Sequence, residues 1–301
     1  MVLEESHKSS VSEHERSVEQ YYDQATQDFY IKGWNPDHIH FGLFEPGECP
    51  EEGEPLAQSA GLARAVERMV DTTVAPARVR ARHHVVDAGC GVAGTAMYLA
   101  KTLGCTVTGI NICRKQLDIA RTRVQDAGLG ERVRLAYADC SRSLPFEDES
   151  VDVVVNIESA CHYSDRRQFL REVARILKPG GRIVAMDWLA RDGLTSDQYE
   201  RLIQPVCDAW FLSGLESPST YTDKLREAGL SLVEFAGFDG ADRDNLRLIE
   251  NAHKLLTMIW FSGKANDSNR RLMDQFHTLY VAWRDGYFEL GRYCAVKPEG
   301  S

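Results

Sequence analysis

Gly89, Gly91 and Gly94 stand at GxGxxG spacing directly after the run VVDA. Glycines so placed permit a tight turn and let the backbone approach a ligand at a helix N-terminus. Dinucleotide and adenosyl binders share that turn, so the neighbouring residues must separate them. Asp87 puts a carboxylate just before it, giving DAGCG. A turn that cradles an anionic pyrophosphate gains nothing from this charge, whereas a cofactor with an amino-acid tail and a sulfonium has positive groups for it to balance. About 20 residues further on, a nicotinamide enzyme carries an Asp or Glu for the ribose; this chain carries Asn111. Asn111 can still hydrogen-bond ribose hydroxyls, which lowers the dinucleotide reading without removing it.

Positioning such a turn takes a sheet. Strand-like and helix-like patterns alternate from Val85 onward: strands at Val85–Asp87, Thr106–Ile110, Val133–Tyr137, Val151–Asn156 and Arg182–Met186, and helices at Thr95–Thr102, Arg114–Ala127 and Arg167–Leu177. The alternation implies an α/β fold, a mostly parallel sheet with helices on both faces. Lys178-Pro179-Gly180-Gly181 reads as a turn. Before this core, a polar and frayed segment reaches about residue 17 and a helix begins near Val18, carrying Tyr21, Tyr22, Phe29 and Tyr30. Gly33 to Pro55 is too irregular for a regular element and too aromatic for a linker, so it reads as a loop that covers something. After Asp187, helical runs, two late strands and a helical insertion read as a lid over the sheet. Three segments result: 1–75 as N-terminal helices and covering segment, 76–190 as the cofactor-binding core, and 191–301 as lid helices and final strands completing the same domain.

The stretches VVDAGCGVAG, GIN with Gln116 following, YADCSRSLPFEDESVDVVVNIES and EVARILKPGGRIVAMDW, together Val85 to Trp188, resemble the successive motifs of class I S-adenosylmethionine-dependent methyltransferases. The resemblance implies a Rossmann-like, doubly wound, seven-stranded sheet with helical lid insertions and S-adenosylmethionine as cofactor. It places Gly89, Cys90 and Gly91 along the methionine part, Asn111 and Ile112 at the ribose and adenine, Gln116 near the ribose, Asp139 and Cys140 at the adenine edge and Asn156 near the sulfonium. Asp139 suits that role because a carboxylate accepts from the exocyclic amine of adenine; the structural alternative is a helix N-cap after the third strand. Asn111 departs from the usual ribose carboxylate.

The flanks are similar to narrower groups. QYYDQATQDFYIKGWNPDHIHFGLFEPGE resembles the covering segment of small-molecule methyltransferases acting on lipophilic natural products, with Tyr22 near the methionine tail. PVCDAWFLSGLESPSTYTDKLREAGL resembles tocopherol-type C-methyltransferases, and NIESACHY and WRDGYFELGRY resemble geranyl diphosphate C-methyltransferases. The lid and its surroundings offer Tyr21, Trp34, Trp188, Trp210, Phe211, Trp260, Tyr280 and Tyr293 as acceptor-binding aromatics, with Glu158 and His162 as catalytic groups. Methyl transfer to an alkene carbon leaves a carbocation. An aromatic face stabilises a cation by ~2 kcal/mol or more when water is excluded, and a carboxylate or imidazole then removes a proton. Glu158 follows the fourth strand directly, and His162, four residues on, reaches the same site if the segment turns helically. Each also has a structural reading, as a cofactor or turn contact and as a packed histidine. O- or N-methylation of a phenolic, sugar or alkaloid acceptor is the alternative, and a cofactor-binding module without chemistry the weaker one.

Bulk properties set the outer limits. The 301 residues include 35 Lys+Arg against 45 Asp+Glu, a net charge of −10, which argues against nucleic acid as partner because a phosphate backbone needs a basic surface. A lipophilic small-molecule acceptor is the better expectation. The N-terminal residues are expected to be neither a signal nor a transit peptide, no run reaches membrane-spanning length, and the eight scattered cysteines form no CxxC pair or metal-ligand spacing. The expectation is a cytoplasmic enzyme with reduced thiols and no metal, and a homo-oligomer stays open.

Overall fold

β-branched runs with both faces apolar build the centre of the molecule, as strands buried on both sides must. In the computed structural model, which describes residues 12–26, 31–238, 241–261 and 267–300, these are β1 (His84–Ala88), β2 (Thr106–Asn111), β3 (Val133–Tyr137) and β4 (Val151–Ile157), all parallel. β5 (Leu177–Ala190) continues the parallel set, and β6 (Ser231–Gly237) and β7 (Phe288–Val296) complete a seven-stranded sheet in the order β3-β2-β1-β4-β5-β7-β6. β7 runs antiparallel to both its neighbours. The strand order reverses between β1 and β4, where open α/β sheets form a crevice at the carboxyl ends. The doubly wound, Rossmann-like, mostly parallel sheet is therefore present as expected.

Helices α3 (Gly94–Leu103), α4 (Arg114–Asp126) and α5 (Arg166–Ile176) make the crossovers between the parallel strands, and two apolar cores form, one on each face of the sheet. The turn expected at Lys178 to Gly181 is an excursion inside β5: Val151 pairs with Leu177, and Val153 already with Arg182. Helix α1 (Glu13–Ala25) begins earlier than Val18, so residues 13–17 belong to it. The cause is a capping box. Ser12 Oγ accepts from the Glu15 N–H at 3.3 Å and the Glu15 carboxylate accepts from the Ser12 N–H at 3.0 Å, which satisfies two end donors reciprocally. Phe29 and Tyr30, expected on the same helix, lie outside the described residues.

Two insertions cover the carboxyl edge. The loop before α2 (Ala60–Val74) is tied down along its length. The Leu43 N–H donates to the Ala65 carbonyl at 2.9 Å, Arg68 donates to the Leu43 carbonyl at 2.6 Å, and Arg123 of α4 donates to the Pro36 carbonyl at 2.7 Å while pairing with Asp37. After β5 come α6 (Ser196–Gln198), a π-helical turn at Tyr199–Ile203, α7 (Gln204–Trp210) and α8 (Pro218–Glu227), and after β6 the long pair α9 (Ala241–Phe261) and α10 (Asp267–Arg284). α10 packs on α9, α7 and β7. No helix among the described residues is long and apolar enough to cross a membrane, and all eight cysteines are buried and unpaired.

Candidate active site

Two cavities adjoin at the crevice. The first, about 920 Å³ counting its open mouth, lies over the glycine turn. The second, about 520 Å³ on the same measure, lies beneath the lid. Tyr22, Ile39, His40, Glu158 and His162 border both. They form a wall between the chamber lined by the residues expected at the cofactor, called the donor chamber, and the one lined by expected acceptor aromatics, called the acceptor chamber.

Of the residues expected at the cofactor, Tyr22, Asp87, Gly89, Cys90, Gly91, Gly94, Asn111, Ile112, Gln116, Asp139 and Cys140 all line the first chamber. Gly89 takes φ +81°, and a Cβ there would collide with Ser159. Gly94 permits a different approach: its Cβ would collide with the Asp37 carbonyl, so glycine is what lets the covering loop rest on the start of α3. That helix begins without a side-chain cap, which leaves end amides for an anionic group. Asp87 is buried and its Oδ2 has no hydrogen-bond partner, and burial pushes its carboxyl up to about 7. Uncapped amides beside a carboxyl with one unpartnered oxygen fit the carboxylate and ammonium of an amino-acid tail.

At the far end, Asp139 Oδ1 accepts from the Ser141 N–H at 2.8 Å and Oδ2 faces Arg142 Nε at 3.1 Å. Asp139 therefore closes a local turn instead of capping a helix. Burial raises its pKa, against the lowering effect of the Ser141 N–H and Arg142. Asn111 donates to Gln116 Oε1 at 2.7 Å and accepts from the Ile112 N–H at 2.9 Å, while Gln116 donates to Thr26 at 3.0 Å. Asn111 and Gln116 reach the cavity wall but spend much of their bonding capacity on each other and on α1. Asn156 is corrected: it is fully buried and does not line the cavity, because its amide donates to the Ala88 carbonyl at 2.9 Å and to Ser159 at 2.6 Å. It holds the turn from behind.

Glu158 takes a left-handed backbone conformation, φ +45°, which costs a non-glycine residue of order 1–3 kcal/mol and persists only where the surroundings impose it. Its N–H donates to the Met186 carbonyl at 2.8 Å, and its carboxylate accepts from the Phe41 N–H at 2.8 Å. Burial pushes the carboxyl up to about 8; the Phe41 N–H and the Trp188 indole act in the opposite sense, and Asp187 adds to the rise. His162 Nδ1 lies 3.0 Å from the Phe211 carbonyl and Nε2 2.9 Å from the Tyr22 hydroxyl. A carbonyl only accepts, so the proton is on Nδ1 and Nε2 accepts from Tyr22. Burial brings its pKa down to about 4.

In the acceptor chamber the structure brings together Trp34, Trp188 and Trp210. Trp188 meets Trp210 edge-on at 5.3 Å and Phe41 at 5.7 Å, arrangements favoured by the ring quadrupoles. Four expected aromatics fall elsewhere. Tyr21 is packed behind the wall between Tyr22 and Phe211, each 5.1 Å away. Phe211 gives the site its carbonyl and not its ring. Tyr280 stacks on His253 at 6.1 Å and does not line the chamber. Tyr293 belongs to the other face of the sheet, between Tyr221 and Phe235. The Trp260 side chain lies outside the described residues.

Sequence reasoning missed the covering loop's chemistry. His40 Nδ1–H donates to the Phe41 carbonyl at 2.8 Å, so its Nε2, 3.2 Å away, accepts from His38 Nδ1–H. Burial keeps both neutral, His40 at about 4 and His38 well below its usual value. The spacing HIH was the available signal. Ile249 of α9 and Phe276 of α10 close the acceptor chamber, and only tertiary packing brings them there.

The buried carboxyls predict a pH dependence. Asp87 and Glu158 have folded-state values of about 7 and about 8, above the unfolded carboxyl range. The stability they contribute is therefore present at low pH and lost as pH rises through those values. The three neutral histidines no longer change charge above about 6.5. Unfolding free energy of the protein without cofactor is expected to fall between pH 6.5 and 8 by up to about 1.4 kcal/mol per pH unit for each carboxyl still protonated. Urea melts across that range check it, and a flat profile would contradict the protonation assigned here.

A family model described as a methyltransferase domain matches residues 86–185. Methyltransferase GfsG of Streptomyces halstedii is 37% identical over 219 residues, 73% of this chain and 74% of that protein. A tocopherol O-methyltransferase of Oryza sativa subsp. japonica is 32% identical over 217 residues, 68% of this chain and 57% of that protein. Among solved structures, geranyl diphosphate C-methyltransferase of Streptomyces coelicolor A3(2) superposes with a TM-score of 0.71 at 18% identity, over 95% of this chain and 99% of that one, a likeness of fold. The cofactor is S-adenosylmethionine, and the chain belongs to the class I S-adenosylmethionine-dependent small-molecule methyltransferases.

Proposed function

We propose that the protein methylates a carbon of an isoprenoid chain or prenylated compound, and that Glu158 removes the proton from the carbocation so formed. The observation that carries this reading is the place of Glu158: a half-buried carboxyl on the wall common to both chambers, beside Trp188 and with no Lys or Arg paired to it among the described residues. The bound cofactor supplies an electrophilic methyl group. An alkene π pair forms the new carbon–carbon bond, the adjacent carbon becomes cationic, and Glu158 takes a proton from a neighbouring C–H whose electrons restore the double bond. A carboxyl held at about 8 is a poor base at pH 7, but a positive charge beside it favours ionisation. Glu158 is thus armed by the charges that the reaction brings to the wall. The remaining contribution is positional, with effective-molarity effects of roughly 7–11 kcal/mol at best.

Asp87 and the first amides of α3 are proposed to hold the methionine tail, and Asp139 and Cys140 the adenine edge. The rice relative's name is the observation behind a second reading, O-methylation, in which Glu158 or His162 would take a hydroxyl proton. Incubation with cofactor carrying a ¹³C-methyl group and a prenylated phenol separates the two by NMR. A label on carbon supports the proposal, and a label on the phenolic oxygen overturns it in favour of the second reading.

A further inference from the structure

The acceptor chamber has a composition that goes beyond its greasiness. None of the described residues lining it is Lys or Arg. The four arginines near enough in sequence to serve an anion are each engaged elsewhere. Arg166 is buried and donates to the carbonyls of Ala160 and Cys161, both at 2.8 Å, and to Gly214, with Glu216 on its remaining nitrogen at 3.4 Å. Arg167 pairs with Glu227 at 2.9 Å, Arg284 with Asp285 at 2.6 Å, and Arg292 with Glu234.

Most of the chamber's neutral donors are spent as well, the indole N–H of Trp188 being the one buried side-chain donor of the described lining without a hydrogen-bond partner. His40 and His162 give their only N–H to the carbonyls of Phe41 and Phe211. The indoles of Trp34 and Trp210 donate to the carbonyls of His40 and Gln275, at 3.2 and 3.0 Å. The Phe41 N–H goes to Glu158. No group of three or more His, Cys, Asp or Glu that could hold a metal by itself occurs among the described residues. The groups facing Glu158 are Asp187 from β5, Asp87 from β1, His40 from the covering loop, Tyr22 from α1 and Cys161 and His162 from its own segment, and none of them is a cation at neutral pH.

An anion taken from water into such a space finds, among the described residues, no positive charge and one indole N–H in place of a set of donors, and burial so poorly compensated is strongly disfavoured. A carbocation generated there finds aromatic rings and a carboxylate. We propose that this chamber selects by charge: it takes an acceptor with no anionic group and rejects free diphosphates, phosphates and carboxylates. This rests on the methyl-transfer reading above and narrows it to neutral isoprenoid or prenylated acceptors. The acceptor must then come from a reaction that has already removed or masked the diphosphate, such as prenyl transfer or hydrolysis.

The test uses the full chain at pH 7. S-Adenosylhomocysteine is titrated first by calorimetry. The saturated protein is then titrated with geraniol, with geranyl diphosphate in the presence and absence of Mg²⁺, and with methyl geranate beside geranic acid, followed by tryptophan fluorescence. The neutral member of each pair is expected to bind more tightly by more than roughly 100-fold, the scale set by leaving a buried charge unpaired. An anion that binds as well as its neutral partner, with or without Mg²⁺, overturns charge selection while leaving methyl transfer standing. Failure of every probe to bind also overturns it. Failure of S-adenosylhomocysteine to bind removes the methyl-transfer reading itself, and the inference with it.

Discussion

Glu158→Gln is expected to lower kcat by about 10²–10⁴-fold, the usual scale for losing a positioned general base, while S-adenosylhomocysteine affinity changes little. Glutamine is nearly isosteric, and its carbonyl can still accept the Phe41 N–H that Glu158 accepts at 2.8 Å. Replacing this half-buried ionisable group with a neutral one removes no ion pair, because no Lys or Arg pairs with Glu158 among the described residues. The loss therefore reports basicity and not collapse of the wall. A second signature follows from the carboxyl's value of about 8. The fraction of wild-type enzyme with Glu158 ionised grows as pH rises toward that value, so the single-turnover rate of the wild type rises with it. The rate of the variant lacks that limb. Wild-type kcat in Glu158→Gln would remove the residue from the chemistry.

Gly94→Ala is expected to cost both cofactor affinity and turnover, by roughly 5–150-fold in affinity. A methyl group at residue 94 collides with the backbone carbonyl of Asp37, and backbone cannot swing aside as a side-chain tip can. Forcing a methyl into a packed contact typically costs 1–3 kcal/mol. The loop cannot move alone, since Arg123 straps it at Pro36 and Asp37, and Asn245 donates to the Gly42 carbonyl at 2.8 Å. Displacing it shifts His38, His40 and the Phe41 N–H that orients Glu158. Calorimetry with S-adenosylhomocysteine, paired with a thermal melt, measures this directly. An unchanged affinity would mean that the loop does not need its seat on α3 to shape the donor chamber.

The contrast between these two variants shows what was legible in the chain. The glycine turn, Asp87 and the strands around it announce themselves because their signals are local: φ-permissive residues at fixed spacing and apolar runs of strand length. The same locality carried Glu158, which needed only the end of β4 to be found. The start of α1 was legible too, in the Ser12 to Glu15 capping box, but polarity there masked it. Facing was harder. Tyr293 and Trp188 sit on paired strands of one sheet, and their sides depend on register, since side chains alternate across a strand; the structure sends them to opposite cores. Gly94 matches the cofactor motif, yet its closest constraint is the Asp37 carbonyl, a contact between segments far apart in sequence. His38 and His40 offered only the spacing HIH, and nothing in the pattern around Ile249 and Phe276 points to the site, because a loop and two lid helices acquire their roles only when they are strapped over the sheet.

The central claim is that one wall, with Glu158 in it, separates donor from acceptor. A crystal structure with S-adenosylhomocysteine bound tests it most directly. The account predicts the adenine amine at Asp139, the amino-acid tail at Asp87 and the start of α3, and the sulfur turned toward Glu158 with the Trp188 and Trp210 chamber beyond it. A cofactor bound in the reverse sense, or with its sulfur turned away from Glu158, would contradict the account.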